Sequence, residues 1–402
     1  MRQQYEPSAD RIIALYQQLE DDILSAVIRR ILKMGYVSEA SKHQLEVLQA
    51  AGLLYDDIVQ LIADRTDACT AQVRALFEDA GVQTVAIDNS LHEAAGALPI
   101  DIRQDSSTRQ VLEAGYKKTL GTMRNLVSTT ATQAQTVFIQ TCDRIYMQVS
   151  SGAFSYQEAI MNALRALADT GATVSYPTGH TDRMDVAVRR CVLTGVSQTA
   201  AAVSLRQAED AGCYLMEITA HSGARPDHAE WQGQLVTITG KDAGKIIDGL
   251  RVFTLSEIGY GSGEGFKGWN CRHNWHAYYP GFSTPNYTPE ELKKLDEPCI
   301  SYNRKLYTEY EISQMQRAQE RRVRAWKRRC ITAQEGVNSA TDEATRATAQ
   351  AEFDRSARYL KTNEAKLKDF CRQTGQDRDR FREQVLGFNR STAQKAVHVA
   401  KK

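Results

Sequence analysis

Between Val323 and Ala351 the residues Val323, Trp326, Cys330, Ala333, Val337, Ala340, Ala344, Ala347 and Ala351 step by alternating intervals of three and four. That spacing is the seam of a helix lying along another helix, a pattern no strand can carry. Gly336, and Ser339 with Asp342 three residues later in the manner of a capping box, mark a break inside the seam. The spacing therefore predicts two antiparallel helices rather than one rod about 90 Å long. The alanines allow the pair to approach closely.

Helical periodicity also fills residues 9 to about 170. Ser8 is placed to cap a first helix whose Ile12, Ile13, Leu15, Tyr16, Leu19, Ile23, Leu24, Val27, Ile28, Ile31 and Leu32 share a face. Breaks are expected at Gly35, Gly52, Gly81 and the "GALPID" segment with Pro99. A further helix should be capped by Ser155 with Glu158 and stopped near Gly171. The texture changes at "SYPTGHTDRMDVAVRRC". One more helix, with Met184, Val188, Cys191, Val192, Val196 and Val203 on one face, is expected to stop at Gly212. Two short strands follow, "CYLMEITA" and "LVTITG", with Pro226 at a first helical position between them. Gly259, Gly261, Gly263, Gly265 and Gly268 then form a mobile or tightly turned loop. "STPNYTPEELKKLDEP" reads as a linker. The expected class is mostly α with a small α+β domain: a helical N-terminal region (1–175), a central α+β domain (176–285), a linker (286–308) and a basic antiparallel helical hairpin with a C-terminal tail (309–402).

Composition narrows the function classes. No apolar run approaches the roughly 20 residues of a transmembrane helix, and the N-terminus meets charge too early for a signal peptide, so folding in a cytoplasm is expected. Eight scattered cysteines without a CxxC pair read as mostly buried thiols in a reducing compartment. The net charge of +1 hides a division: residues 304–402 hold 23 Lys+Arg against 13 Asp+Glu, a net of +10, and residues 1–303 hold 27 against 36, a net of −9. A basic tail on an acidic body fits a polyanion or an acidic protein surface as partner, and equally a solvated helical face. Arg317, Arg321, Arg324 and Arg328 fall on one helical stripe, which would suit phosphate contact.

The chemistry-bearing residues concentrate in the central domain. His221 and His228 flank a turn, and Cys271 and His273 form a C-x-H pair about forty residues on; together they offer four ligands of the types zinc prefers. The spacing within each pair is not that of the common zinc modules, so a zinc clip and a metal-free polar core stand side by side. "HNWH" resembles a nuclease signature only as a string, because that chemistry needs a strand-helix scaffold. Cys271 beside Arg272 and His273 could serve as a nucleophile only with an oriented base. The expectation is that there is no catalytic constellation, and no small-molecule substrate is identified.

"DRMDVAVRRCVLTGVSQTA", "HSGARPDHAEWQGQLVTITG", "GYGSGEGFKGWNCRHNW", "YYPG" and "FCRQTGQDRDRFREQVLGF" resemble, in order and character, the minor capsid protein 2 family of tailed phages and prophages, a branch of the Mu F-type head morphogenesis group. The resemblance spans residues 180 to 390 and, more loosely, the N-terminal helices. It implies a structural virion protein made in the bacterial host cytoplasm and present in few copies at the capsid interior or portal vertex. Its implied partners are the portal protein, other capsid or scaffold proteins, and phage DNA during packaging or ejection. The family-defining residues fall here on His221, Gly223, Arg225, Pro226, His228, Trp231, Gly233, Tyr260, Gly261, Gly268, Asn270, Cys271, Arg272 and His273, and His276 lies outside the motif. The alternative class is a zinc-dependent hydrolase or nuclease built on His221, His228, Cys271 and His273.

Overall fold

A computed structural model describes residues 2–96, 98–102 and 104–401, with side chains from Ala9 onward. In chain order the elements are α1 (Arg2–Met34), α2 (Ala40–Ala94), α3 (Ser106–Ser150), α4 (Tyr156–Thr170), β1 (Thr173–Ser175), β2 (Thr181–Arg183), α5 (Met184–Asp210), β3 (Leu215–Ile218), β4 (Leu235–Thr237), β5 (Ile246–Ile247), β6 (Leu250–Thr254), β7 (Trp275–Tyr278), α6 (Pro289–Leu295), β8 (Ile300–Tyr302), β9 (Lys305–Tyr307), α7 (Glu309–Ser339), α8 (Glu343–Thr374) and α9 (Arg390–Lys401). The fold is mostly α with a small α+β region. Among the described residues no helix is long and apolar enough to cross a membrane.

Two expected breaks are absent. α2 runs unbroken through Gly52 and Gly81, about 80 Å at the usual rise. An interior glycine costs only about 1 kcal/mol relative to alanine, less than burying one of the helix's many apolar side chains returns. Gly52 faces open space, whereas at Gly81 a Cβ would lie 2.6 Å from Leu112 Cδ1, so that glycine serves close approach. α1 already begins at Arg2, so Ser8 lies inside it, and the Ser8 side chain is outside the described residues. The end at Gly35 and the break around Pro99 are present, as is the Ser155–Glu158 capping box of α4.

By packing, the chain divides into two units, each gathering three separate stretches. The first holds residues 1–12, 69–123 and 189–314. Its sheet has the order β5-β6-β4-β3-β7, antiparallel except for the parallel β4–β6 pair. The inner strand β3, between β4 and β7, is buried along its whole length, so its two faces serve two cores. Met216 and Ile218 pack with Trp231, Val236, Phe253, Phe266 and Trp275, while Leu215 packs with Leu235, Leu250, Val252 and Tyr278. The indole N–H of Trp275 donates to Ala201 O of α5, which lies on the sheet. The proline-rich stretch is ordered: Thr288 and Glu291 form a capping box on α6, and β8–β9 is a hairpin. α5 meets α3 through reciprocal contacts. A Cβ on Gly115 would sit 2.0 Å from Thr199 Oγ1, and one on Gly195 would sit 2.1 Å from Thr119 Oγ1.

The second unit holds residues 13–68, 124–188 and 315–402. In it α7 and α8 form the antiparallel hairpin: Trp326 stacks on Tyr359 with ring centres 4.6 Å apart, and a Cβ on Gly336 would lie 3.3 Å from that of Ala349. Val323, Cys330 and Ala333 of the expected seam are buried, but Ala344, Ala347 and Ala351 are exposed. The turn resets the helical phase, and the larger Phe353 and Leu360 with Ala349 and Ala357 take the interior of α8. The cap of α8 is Asp342, which accepts from Thr345 N at 2.8 Å, rather than Ser339. Two of the four stripe arginines turn inward. Arg328 pairs with Glu20 and Asp185, and Arg324 with Asp185, in a buried network joined by Arg183. Asp21 beside it accepts from Gly387 N at 2.6 Å, and burial pushes its carboxyl up to about 7.

These contacts set three expectations. Gly195→Ala should cost about 0–2 kcal/mol, the difference between overpacking against Thr119 of about 1–3 kcal/mol and a helix-propensity gain of about 1 kcal/mol. Gly121→Ala on the same α3, where a Cβ meets nothing within 4 Å, should stabilise by about 0.5–1 kcal/mol; urea unfolding of both variants checks the contrast. Because the folded Asp21 binds its proton more tightly than the unfolded chain, its contribution weakens stability as pH rises from about 4 to about 7, by up to about 1.4 kcal/mol per pH unit. Asp21→Asn, which keeps the acceptor for Gly387, should remove that slope and melt higher than wild type at pH 8.

Candidate functional site

The histidine- and cysteine-bearing turns meet in the first unit at one end of β3 and β7. After β3, Gly223 at φ +72° turns the chain, and Pro226 opens a single 3₁₀ turn that ends on His228. On the other side, the glycine loop folds onto itself: a Cβ on Gly265 would sit 2.2 Å from Gly259 O, and one on Gly268 would sit 2.3 Å from Gly263 O. The loop is thus tightly turned. Lys267 and Asn270 leave it in left-handed conformations at φ +60° and +58°, which aim Cys271 back towards the turn, and His273 enters two residues before β7.

Three of the four expected ligands come together. His228 Nδ1 lies 3.3 Å from His273 Nδ1, and Cys271 Sγ lies 3.6 Å from His273 Nδ1, with the three donor atoms within 4.8 Å of one another. The fourth, His221, stacks on His273 with ring centres 4.4 Å apart and stands outside that group. Both central imidazoles are almost fully buried, and Trp231 presses on each at ring-centre distances of 4.4 and 4.8 Å.

The outer nitrogens are held as well. His228 Nε2 is 2.7 Å from Glu264 O, a carbonyl supplied by the glycine loop, and His273 Nε2 is 3.2 Å from Gln232 Oε1. Gln232 is itself oriented: its amide N–H donates to the Asp296 carboxylate at 3.3 and 3.4 Å, and its Oε1 also accepts from His221 N at 3.3 Å. Arg225 donates to Glu264 O, and its Nη2 lies 2.8 Å from His228 Nε2. Burial, and then the neighbouring His221 and His228, push His273 down to about 2, and burial lowers His228, which favours the neutral form of both rings. Burial raises the Cys271 thiol, the opposite of what a nucleophile needs.

The other motif residues build the surroundings. Trp231 meets Phe266 edge-on at 5.7 Å, Tyr260 stacks on Trp275 at 4.9 Å, and Gly233 at φ +69° leaves room for Leu292, whose Cδ2 a Cβ would approach to 2.4 Å. Arg272 is exposed. A cavity of about 70 Å³ between α5 and the loop is lined by Leu193, Val196, Lys267, Cys271 and His273 among others. Lys267, buried there with Nζ 3.2 Å from Ser197 Oγ, is pushed down to about 8 by burial. His276 belongs elsewhere: it faces Glu217 at 3.2 Å across the β3–β7 pair, and Asn286 donates twice to that carboxylate at 2.8 Å. The string "HNWH" thus divides between two places. Gln232, the Glu264 carbonyl, Lys267 and Glu217 had not been singled out from the sequence. Only the adjacency of Gln232 to Trp231 could have signalled one of them.

Comparison with known proteins places this chain in a family. The family model described as Phage minor capsid protein 2 matches residues 2–372. A protein named "Structural protein" from Lactococcus phage LL-H is 25% identical over 333 residues, 80% of this chain and 86% of that protein. Another of the same name, from Lactococcus phage mv4, is 37% identical over 81 residues, 20% of this chain and 57% of that protein. No solved structure gives a significant match. With nearly its whole length matched, the chain belongs to the phage minor capsid protein 2 family.

Proposed function

We propose that this chain is a minor structural component of the phage head, working beside the portal in the capsid interior rather than as an enzyme. The observation that carries this reading is the family match over residues 2–372, together with two relatives named structural proteins. The site geometry supports the same side. A hydrolytic metal centre keeps an open coordination position in a cleft; the imidazoles here are packed under Trp231 at 1–2% exposure, and the space adjoining Cys271 and His273 is a cavity of about 70 Å³. Leu45, Leu48 and Leu53 on α2 are each more than half exposed, apolar surface of the kind an assembling protein presents to a partner.

DNA is the proposed second partner of the basic hairpin. Of the stripe read from sequence, Arg321 is exposed and Arg317 half-buried, while Arg324 and Arg328 are engaged with carboxylates. Phosphate contact therefore falls to Arg321 with the exposed Arg322, Arg355, Arg358, Lys366 and Lys368.

Cross-linking of intact procapsids followed by mass spectrometry tests the head assignment. Cross-links from Lys42, which is exposed near the α2 leucines, to the portal protein are expected; absence of the chain from purified heads contradicts it. For DNA, filter binding should show affinity for duplex falling steeply between 50 and 200 mM salt, roughly tenfold or more for a few phosphate contacts. Arg321→Ala with Arg322→Ala should flatten that slope, and no binding at 50 mM salt removes the DNA partner.

A further inference from the structure

His228 and His273 present their Nδ1 atoms to each other at 3.3 Å, with Cys271 Sγ 3.6 Å from the second. The opposite nitrogen of each ring faces a carbonyl-type oxygen, Glu264 O for His228 and Gln232 Oε1 for His273. Such oxygens only accept, so the bond to Gln232 Oε1 puts the His273 proton on Nε2; in the tautomer in which His228 Nε2 donates to Glu264 O, with the Arg225 guanidinium 2.8 Å away turned to the same carbonyl, each Nδ1 carries the lone pair. The Gln232 amide cannot be reversed without turning its N–H donors away from Asp296. Two lone pairs and a sulfur therefore converge on one point, which makes electrostatic sense with a cation at that point.

The distances say which kind. In a tetrahedral zinc site, bonds of about 2.0–2.1 Å to nitrogen and about 2.3 Å to sulfur give nitrogen–nitrogen edges of about 3.3 Å and nitrogen–sulfur edges of about 3.6 Å. Those are the two edges present. We infer that His228 Nδ1, His273 Nδ1 and Cys271 Sγ bind one divalent cation of the zinc class, with the Nε2–H bonds to Glu264 O and Gln232 Oε1 as its outer support. The third edge, within 4.8 Å, closes by rotation of the half-buried Cys271 side chain. On binding, the Cys271 thiol gives its proton to solvent and the site carries a net charge of +1. His221, stacked on His273 and donating its Nδ1–H to Ser222 O at 2.9 Å, stands outside that group and becomes the fourth ligand, through Nε2, once its ring leaves the stack. The ion then ties the 3₁₀ turn, the exit of the glycine loop and the start of β7.

The full-length chain, purified without chelator, should hold one zinc per molecule by native mass spectrometry. Its cobalt form should show the near-ultraviolet sulfur-to-metal band and the intense visible bands of a tetrahedral site, readouts that need no variant. Cys271→Ser should abolish the sulfur band with helical content unchanged, and His221→Ala should weaken zinc binding roughly 10–100-fold. A wild-type protein that takes up no zinc, or a cobalt spectrum without a sulfur band, overturns the inference in favour of a metal-free pair in which Arg225 donates to His228 Nε2 and His228 donates to His273. An unchanged affinity in His221→Ala removes His221 from the shell.

Discussion

Two imidazole Nδ1 atoms face each other at 3.3 Å, and when both outer nitrogens donate to the oxygens behind the rings the two lone pairs repel unless a positive charge lies between them. Much of the first unit serves that arrangement. The glycine loop must fold tightly enough to bring the Glu264 carbonyl behind His228, which is why side chains are excluded at Gly265 and Gly268. Gln232 must be held by Asp296, next to α6, so the proline-rich segment takes part in orienting a ring it never touches. Trp231 seals the pair against water, and with water excluded the electrostatics of three converging donors are weakly screened.

The second unit answers a different electrostatic problem in a related way. Glu20 and Asp185 are buried carboxylates, and Arg183, Arg324 and Arg328 are the guanidiniums that make their burial tolerable. Losing one partner from such a network leaves an uncompensated charge, at a cost of about 3–5 kcal/mol. The arginine-rich character of α7 thus has two physical origins on one helix: inward residues balance carboxylates, and outward residues such as Arg321 and Arg322 remain for solvent or a polyanion.

What could be read from the sequence was what local chemistry decides. The α4 capping box, the end of α5 at Gly212 and the hairpin of α7 and α8 follow from residues a few positions apart. The motifs that mark the minor capsid protein 2 family, and the grouping of His228, Cys271 and His273, were also legible, because zinc-type donors clustered in two short segments. The misreadings came from tertiary contacts. Gly52 and Gly81 looked like breaks because periodicity does not show how much burial carries α2 through them. Ala344, Ala347 and Ala351 continued the seam by number, but the Asp342 cap restarts α8 with Phe353 and Leu360 inward. Arg324 and Arg328 were indistinguishable from Arg321 until Asp185 and Glu20, more than a hundred residues earlier, were placed beside them. The roles of Gln232 and the Glu264 carbonyl depend on orientation alone, which no spacing encodes.

Zinc K-edge X-ray absorption on the zinc-loaded full-length protein tests the central claim most directly. The account predicts a four-coordinate first shell with one sulfur at about 2.3 Å and imidazole nitrogens at about 2.0 Å. A shell of oxygens without sulfur would contradict it.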